Sequence, residues 1–212
     1  MSSSARRLAP LLPLLLLGCK IATIRPIESQ EGDTNGAATF DAARHVEALW
    51  AADVPEALAG AVELSDFLPA LASDADAAGA RWGRREGTGP YHVVVRGRGQ
   101  VTGVDTASRM GIASLEVATS EATETVRLQI GPVLRGTSIR DALPTVSFDQ
   151  FVNQIQFADV ANELNARVER EVVGDLDREA LAGKTVRFAG MATLGEPPLT
   201  ITPVRLEVGE GP

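Results

Sequence analysis

The chain has 212 residues, 20 of them Lys or Arg against 28 Asp or Glu, for a formal net charge of -8, with one Cys and two His. So acidic a surface repels phosphate backbones and excludes nucleic acid as a partner, and a single thiol makes neither an intramolecular disulfide nor a structural zinc site. His45 and His92 leave little material for a metal site or a relay, so neither metal nor cofactor is expected.

Arg6 and Arg7 precede an apolar run over residues 8–17, too short to span a bilayer but right for the apolar core of a signal peptide. The run ends Leu16-Leu17-Gly18-Cys19, which resembles the bacterial lipoprotein signal, with Leu three before the Cys and a small residue just before it. The small residue gives the signal peptidase access to the bond, and the thiol of Cys19, the only one in the chain, accepts the diacylglycerol. A plain secretory signal with a chance Cys is the alternative. Residues 1–18 are thus read as a lipoprotein signal peptide and Cys19 as the lipidation site. Lys20 lacks the Asp that retains some lipoproteins at the inner membrane, which leaves the choice of membrane open. Loss of the leader removes Arg6 and Arg7 and no acids, leaving 18 basic against 28 acidic residues, net -10. Residues 19–38 are polar, contain Gly and keep no period, as a flexible tether would.

Residues 39–212 read as a single α+β domain, helical over 39–83 and barrel-like over 90–208. Thr39 is placed to cap a first helix whose inner face carries Phe40, Ala43, Val46, Leu49 and Trp50. Pro55 suits the start of a second helical stretch, which runs through Leu58, Val62, Phe67, Leu68, Leu71 and an Ala-rich segment to a stop at Gly83. After Pro90 the period changes from 3.6 to 2. One long strand is predicted from Tyr91 to Asp105, bent at its glycines, with a tight hairpin at 96–99 as the alternative. Ala113, Leu115 and Val117 mark a second strand; Val126, Leu128 and Ile130 mark a third, with Arg127 and Gln129 facing out. Ser147 and Gln150 form a capping box that opens a long helix with Phe151, Ile155, Ala158, Leu164 and Val168 inward. Two last strands follow over 185–192 and 199–208, with a bulge or edge at Pro203. This is a helical front followed by five strands, with a long helix between strands three and four: the order of an OB-like β-barrel, a generic α+β domain being the alternative.

The densest polar segment, residues 131–144, joins the third strand to the capped helix. Arg135, Thr137, Arg140 and Asp141 could receive an anionic or hydroxyl-rich ligand there, since Arg offers planar bidentate donors; equally, Asp141 could pair with Arg140 or Arg135 and pin the loop over the barrel end. Asn153 and Gln154 could reach a ligand or a loop carbonyl. Arg96 and Arg98 read as a solvated strand bend, and Trp82, Arg84 and Arg85 either line a sugar-stacking face or pack a helix end on the barrel. No Gly-x-Ser-x-Gly or His-Glu-x-x-His motif occurs, and no catalytic residue is assigned.

Gly131-Pro132, Arg135-Gly136-Thr137, Ile139-Arg140-Asp141, Phe151 with Asn153-Gln154, Thr202-Pro203-Val204, Trp50 and the lipobox together resemble the uncharacterised family of predicted periplasmic lipoproteins often encoded beside sugar ABC-transporter genes. The resemblance covers nearly all of the mature chain. It implies an OB-like fold, a lipid anchor on the periplasmic face of a bacterial membrane, and an accessory role in carbohydrate uptake with transporter components or a small carbohydrate as partner. It brings no established catalytic residues. Two other classes stay open: a cell-envelope carbohydrate-active enzyme working through carboxylates, and a structural assembly protein that docks through its helical front.

Overall fold

The computed structural model describes residues 40–209; the leader, Cys19, the tether over 19–38 and the expected cap Thr39 lie outside the described residues. The period-2 segments form β1 (His92–Asp105), β2 (Ile112–Ala118), β3 (Thr123–Gln129), β4 (Thr185–Thr193) and β5 (Thr200–Val208). Antiparallel pairs join β1 to β2, β2 to β3, β4 to β5 and β1 to β4. A parallel seam, Arg127 opposite Thr200 and Leu128 opposite Ile201, joins β3 to β5 and closes the ring. The strand order and the helix between β3 and β4 make this the expected OB-like barrel.

β1 is one continuous strand rather than a hairpin at 96–99. Residues 92–100 pair with β4 and residues 100–105 with β2, the register shifting between Val101 and Gly103. A Cβ at Gly99 would stand 2.7 Å from the Glu116 carbonyl oxygen, so glycine is what lets β1 pass this close to β2. The expected irregularity at Pro203 is also present, as a register shift opposite Ala189 and Gly190.

Alternation along the strands sorts side chains into two cores. Val93, Val95, Leu115, Val126, Leu128, Phe188 and Ile201 fill the barrel, where Leu64, Phe67 and Leu68 join them. Met191 and Val204 point to the outer face and pack with Val46, Leu49, Leu58, Ile139, Leu143, Val160, Leu164 and Val168 from the helices. Burial of each such aliphatic side chain contributes about 1.5–3 kcal/mol. One side of the barrel therefore carries a helical layer.

The helices differ from expectation in three places. α1 (Ala42–Ala51) is capped by Asp41, whose Oδ1 accepts from the Arg44 amide at 3.0 Å, and it buries Val46 and Leu49 while Ala43 faces solvent. The expected second stretch is three helices: α2 (Asp53–Ala59), α3 (Leu64–Ser73) and α4 (Ala75–Trp82). Gly60 ends α2, and the Asp74 carboxylate accepts from the Ala77 amide and starts α4. Between α2 and α3, Val62 and Glu63 run parallel to Val95 and Arg96 of β1.

After a short α5 (Ser138–Ala142), the capping box of Ser147 and Gln150 caps only the single turn Phe148–Gln150. Phe151 is extended, with its ring set among Phe40, His45 and Phe157, which interrupts the helix. α6 (Gln154–Val168) begins afresh with Asn153 as its cap. The reset rotates the buried face to Val160, Ala161, Leu164 and Val168, leaving Ile155 71% exposed and Ala158 in solvent.

Candidate functional site

The chain leaves β3 across a tight crossing, where a Cβ on Gly131 would collide with the Met110 carbonyl, and then lies back over the outer face of the barrel. α5 presents Arg140 and Asp141. Arg140 is 8% exposed; its Nε donates to Asp141 Oδ1 at 2.7 Å and its Nη1 to the Phe157 carbonyl at 3.0 Å, with the guanidinium carbon 3.5 Å from the Phe157 ring centre. The Asp141 carbonyl accepts from Arg84 Nη1 at 2.9 Å, and Arg84 Nη2 reaches the Val146 carbonyl at 3.3 Å. Asp141 Oδ2 stands 3.8 Å from Nε2 of His92, and His92 Nδ1 lies 3.0 Å from Thr193 Oγ1.

Burial pushes the His92 pKa below its ordinary value of 6.5; Asp141 pulls it back up, while Arg140 and Arg84 press it further down. The cluster is thus a largely neutral imidazole, one carboxylate and two guanidiniums, each held by partners on other elements. Arranged this way, the charges brace α5 against β1, α6 and the segment after α4.

Gln129 supplies a second tie. The period-2 pattern assigns it to solvent, yet it is 7% exposed, because the returning loop and α5 cover this end of the outer face. Its Nε2 donates to the Arg135 carbonyl and to Thr202 Oγ1, both at 3.0 Å, and its Oε1 accepts from the Arg135 amide at 2.8 Å. Ser138 Oγ continues the chain, 3.2 Å from Thr202 Oγ1.

Of the residues singled out in the sequence, Arg140 and Asp141 come together. Arg135 shares their loop with its side chain exposed, and Thr137 is half-buried just before α5, its carbonyl accepting from the Asp141 amide at 2.9 Å. Asn153 is spent as a cap, accepting from the Gln156 amide at 2.9 Å, and Gln154 is exposed beside it. The amide that ties helix to loop is instead Asn165, donating to the Gly136 carbonyl at 2.9 Å. Arg178 was also missed: it donates to the Ile130 carbonyl at 2.6 Å and to the Val173 carbonyl at 2.9 Å. An Arg, His or amide whose partner is a distant backbone carbonyl leaves no spacing signal in sequence.

Trp82, Arg84 and Arg85 do not form a common sugar-stacking face. Trp82 packs edge-on against Phe67 with Arg81 over its ring, Arg84 serves the clasp, and Arg85 lies over Tyr91. Among the described residues no three His, Cys, Asp or Glu side chains group to hold a metal ion. No helix among the described residues is long and apolar enough to cross a membrane.

The fold is similar to that of a solved OB-fold protein from Thermotoga maritima, with a TM-score of 0.65 at 20% sequence identity over 81% of this chain and 100% of that one. No curated protein matches the chain. A family model matches residues 11–207, from within the leader through Cys19 and into the last barrel strand, and the chain belongs to that family, described as predicted periplasmic lipoprotein (DUF2291).

Proposed function

We propose that this periplasmic lipoprotein is a non-enzymatic accessory protein working beside a carbohydrate ABC transporter, with a transporter component or a small carbohydrate as partner. The observation that carries the non-enzymatic reading is the mutual pairing of the charges in the loop over 131–144: Arg140 is committed to Asp141, to the Phe157 carbonyl and to the Phe157 ring. A general acid or base must face its substrate, and Asp141 faces Arg140 and His92 instead. The transporter association rests on the resemblance set out above. An accessory protein also needs a face for its partner, and the segment leading into α6 offers exposed apolar side chains, Phe148 at 40%, Val152 at 87% and, in the first turn of α6, Ile155 at 71%.

The test is sugar uptake in cells that lack the protein. At least one sugar of a single-carbon-source panel should be taken up more slowly, with restoration by the wild type and not by the doubly substituted Val152→Asp, Ile155→Asp chain. Unchanged uptake across the panel rejects the transporter association. Hydrolysis of an oligosaccharide by the purified protein would replace the accessory reading with the enzymatic one.

A further inference from the structure

We propose that the uncovered outer face of β1, β4 and β5 is a binding site for a phosphate ester carrying neighbouring hydroxyls, held by Arg98, Arg187 and Arg205. The registers stack two rows across these strands. In one, Glu63 lies beside Arg96, which is opposite Ala189, which is opposite Arg205; in the next, Arg98 is opposite Arg187, which is opposite Glu207. Paired residues and residues two apart share a face, so all of these side chains stand on the same side of the sheet. The preceding row on that face, Val94, Met191 and Thr202, is buried or half-buried, with Val94 and Met191 packed under the helical layer. The arginines begin where that cover ends.

Ala189 sits in the middle of the group, and its small side chain leaves a hollow of about 420 Å³ with the arginines on its walls. Arg96 is already paired, its Nε donating to Glu63 Oε1 at 2.6 Å. Among the described residues Arg98, Arg187 and Arg205 have no ion-pair partner, and neither has Glu207. Like charges directly opposite in an antiparallel ladder are destabilising, and Arg98 opposite Arg187 is such a pair, in a chain rich enough in acids to have supplied a carboxylate there. An arrangement that opposes folding and would be relieved by an anion is the mark of a site.

The charge count selects the ligand class. Three free guanidiniums against one carboxylate leave room for a doubly charged group, which a phosphate monoester supplies and a single carboxylate does not. Arginine forks match phosphate oxygens in pairs. Glu207 accepts hydrogen bonds but cannot give them, and so suits a hydroxyl of the esterified alcohol. A soluble polyol phosphate presents the doubly charged monoester and its hydroxyls together, whereas the headgroup of a glycerol phospholipid is a diester with a single charge. The inference is independent of the transporter reading.

The experiment uses the lipidated protein. In neutral detergent, thermal unfolding and calorimetry are run with glycerol 3-phosphate, a hexose 6-phosphate, inorganic phosphate, glycerol and glucose. In vesicles, unfolding is compared in phosphatidylcholine with and without phosphatidylglycerol. Stabilisation by glycerol 3-phosphate or the hexose 6-phosphate is expected, and phosphatidylglycerol, a diester with one charge, should stabilise less. Arg98→Gln and Arg187→Gln should each weaken binding about tenfold or more, while the free protein is unchanged or more stable because a like-charge contact is gone. Arg127→Gln, an exposed charge elsewhere on the barrel, should leave binding as it was. The proposal fails if neither phosphate monoester shifts unfolding, if phosphatidylglycerol alone does, or if Arg127→Gln weakens binding as much as Arg187→Gln.

Discussion

Gln129 and Arg135 hold each other twice: the Gln129 side chain donates to the Arg135 carbonyl at 3.0 Å and accepts from the Arg135 amide at 2.8 Å. The pair fixes the start of the returning loop on the last residue of β3. The third contact of Gln129, to Thr202 Oγ1, joins that point to β5 across the barrel seam. Gln129→Ala should therefore cost about 1–3 kcal/mol, since a buried hydroxyl and two backbone groups lose their partner. Arg127→Ala, two residues earlier on the same face but exposed, should stay within about 0.5 kcal/mol. Urea midpoints for the two variants check this, and equal losses would refute it.

Leu128, 1% exposed inside the barrel, is the core reference. Leu128→Ala should cost about 2–5 kcal/mol by the same measurement, as a large-to-small truncation in the barrel core.

Arg140→Ala separates a brace from a binding loop. The change strips the Asp141 carboxylate of its closest partner and frees the Phe157 carbonyl, at a cost of about 2–3 kcal/mol. The melting temperature should fall by the same amount with and without a panel of sugars and anions. A variant as stable as the wild type, or a loss seen only with ligand present, would assign the loop to binding instead.

His92 sets a pH dependence. Its folded pKa lies below 6.5, so the unfolded chain takes up a proton that the folded chain resists. The associated stability is complete above about pH 6.5 and declines on acidification until the folded value is passed. Melting temperatures taken downward from pH 7.5 should fall less steeply below about pH 6.5 in His92→Gln than in the wild type. Parallel curves would exclude His92 as the source.

Cys19 is the expected lipidation site. Cys19→Ala should abolish partitioning into detergent and leave the unlipidated precursor, and equal partitioning of both forms would contradict lipidation at this thiol.

The strands were legible because alternation such as Val126, Leu128, Ile130 reports a buried inner face directly. The same alternation says nothing about whether the other face is covered, and Gln129 was misread for that reason. Local cap chemistry misled at Ser147: the capping box is real but serves one turn, and the second signal, Asn153 accepting from the Gln156 amide, lay six residues on. The clasp was half legible. Arg140 and Asp141 are adjacent, whereas Arg84 and His92 reach them only through the fold. The arginine hollow was visible as Arg96 and Arg98 alone, since the register that adds Arg187 and Arg205 has no local signature.

The closing seam of the barrel bears on the order of folding. β3 and β5 meet over two registered pairs, and Thr202, which Gln129 grips beside the seam, lies 73 residues further along the chain. β5 is the last strand, so until it docks both β3 and β4 present bare edges, and contacts this distant in sequence form slowly. The hydrogen-bonded chain from Gln129 through Thr202 to Ser138 then acts as a latch that closes only when β5 is in place. A chain cut before Thr200 should leave one bare edge on β3 and one on β4, and so self-associate rather than fold.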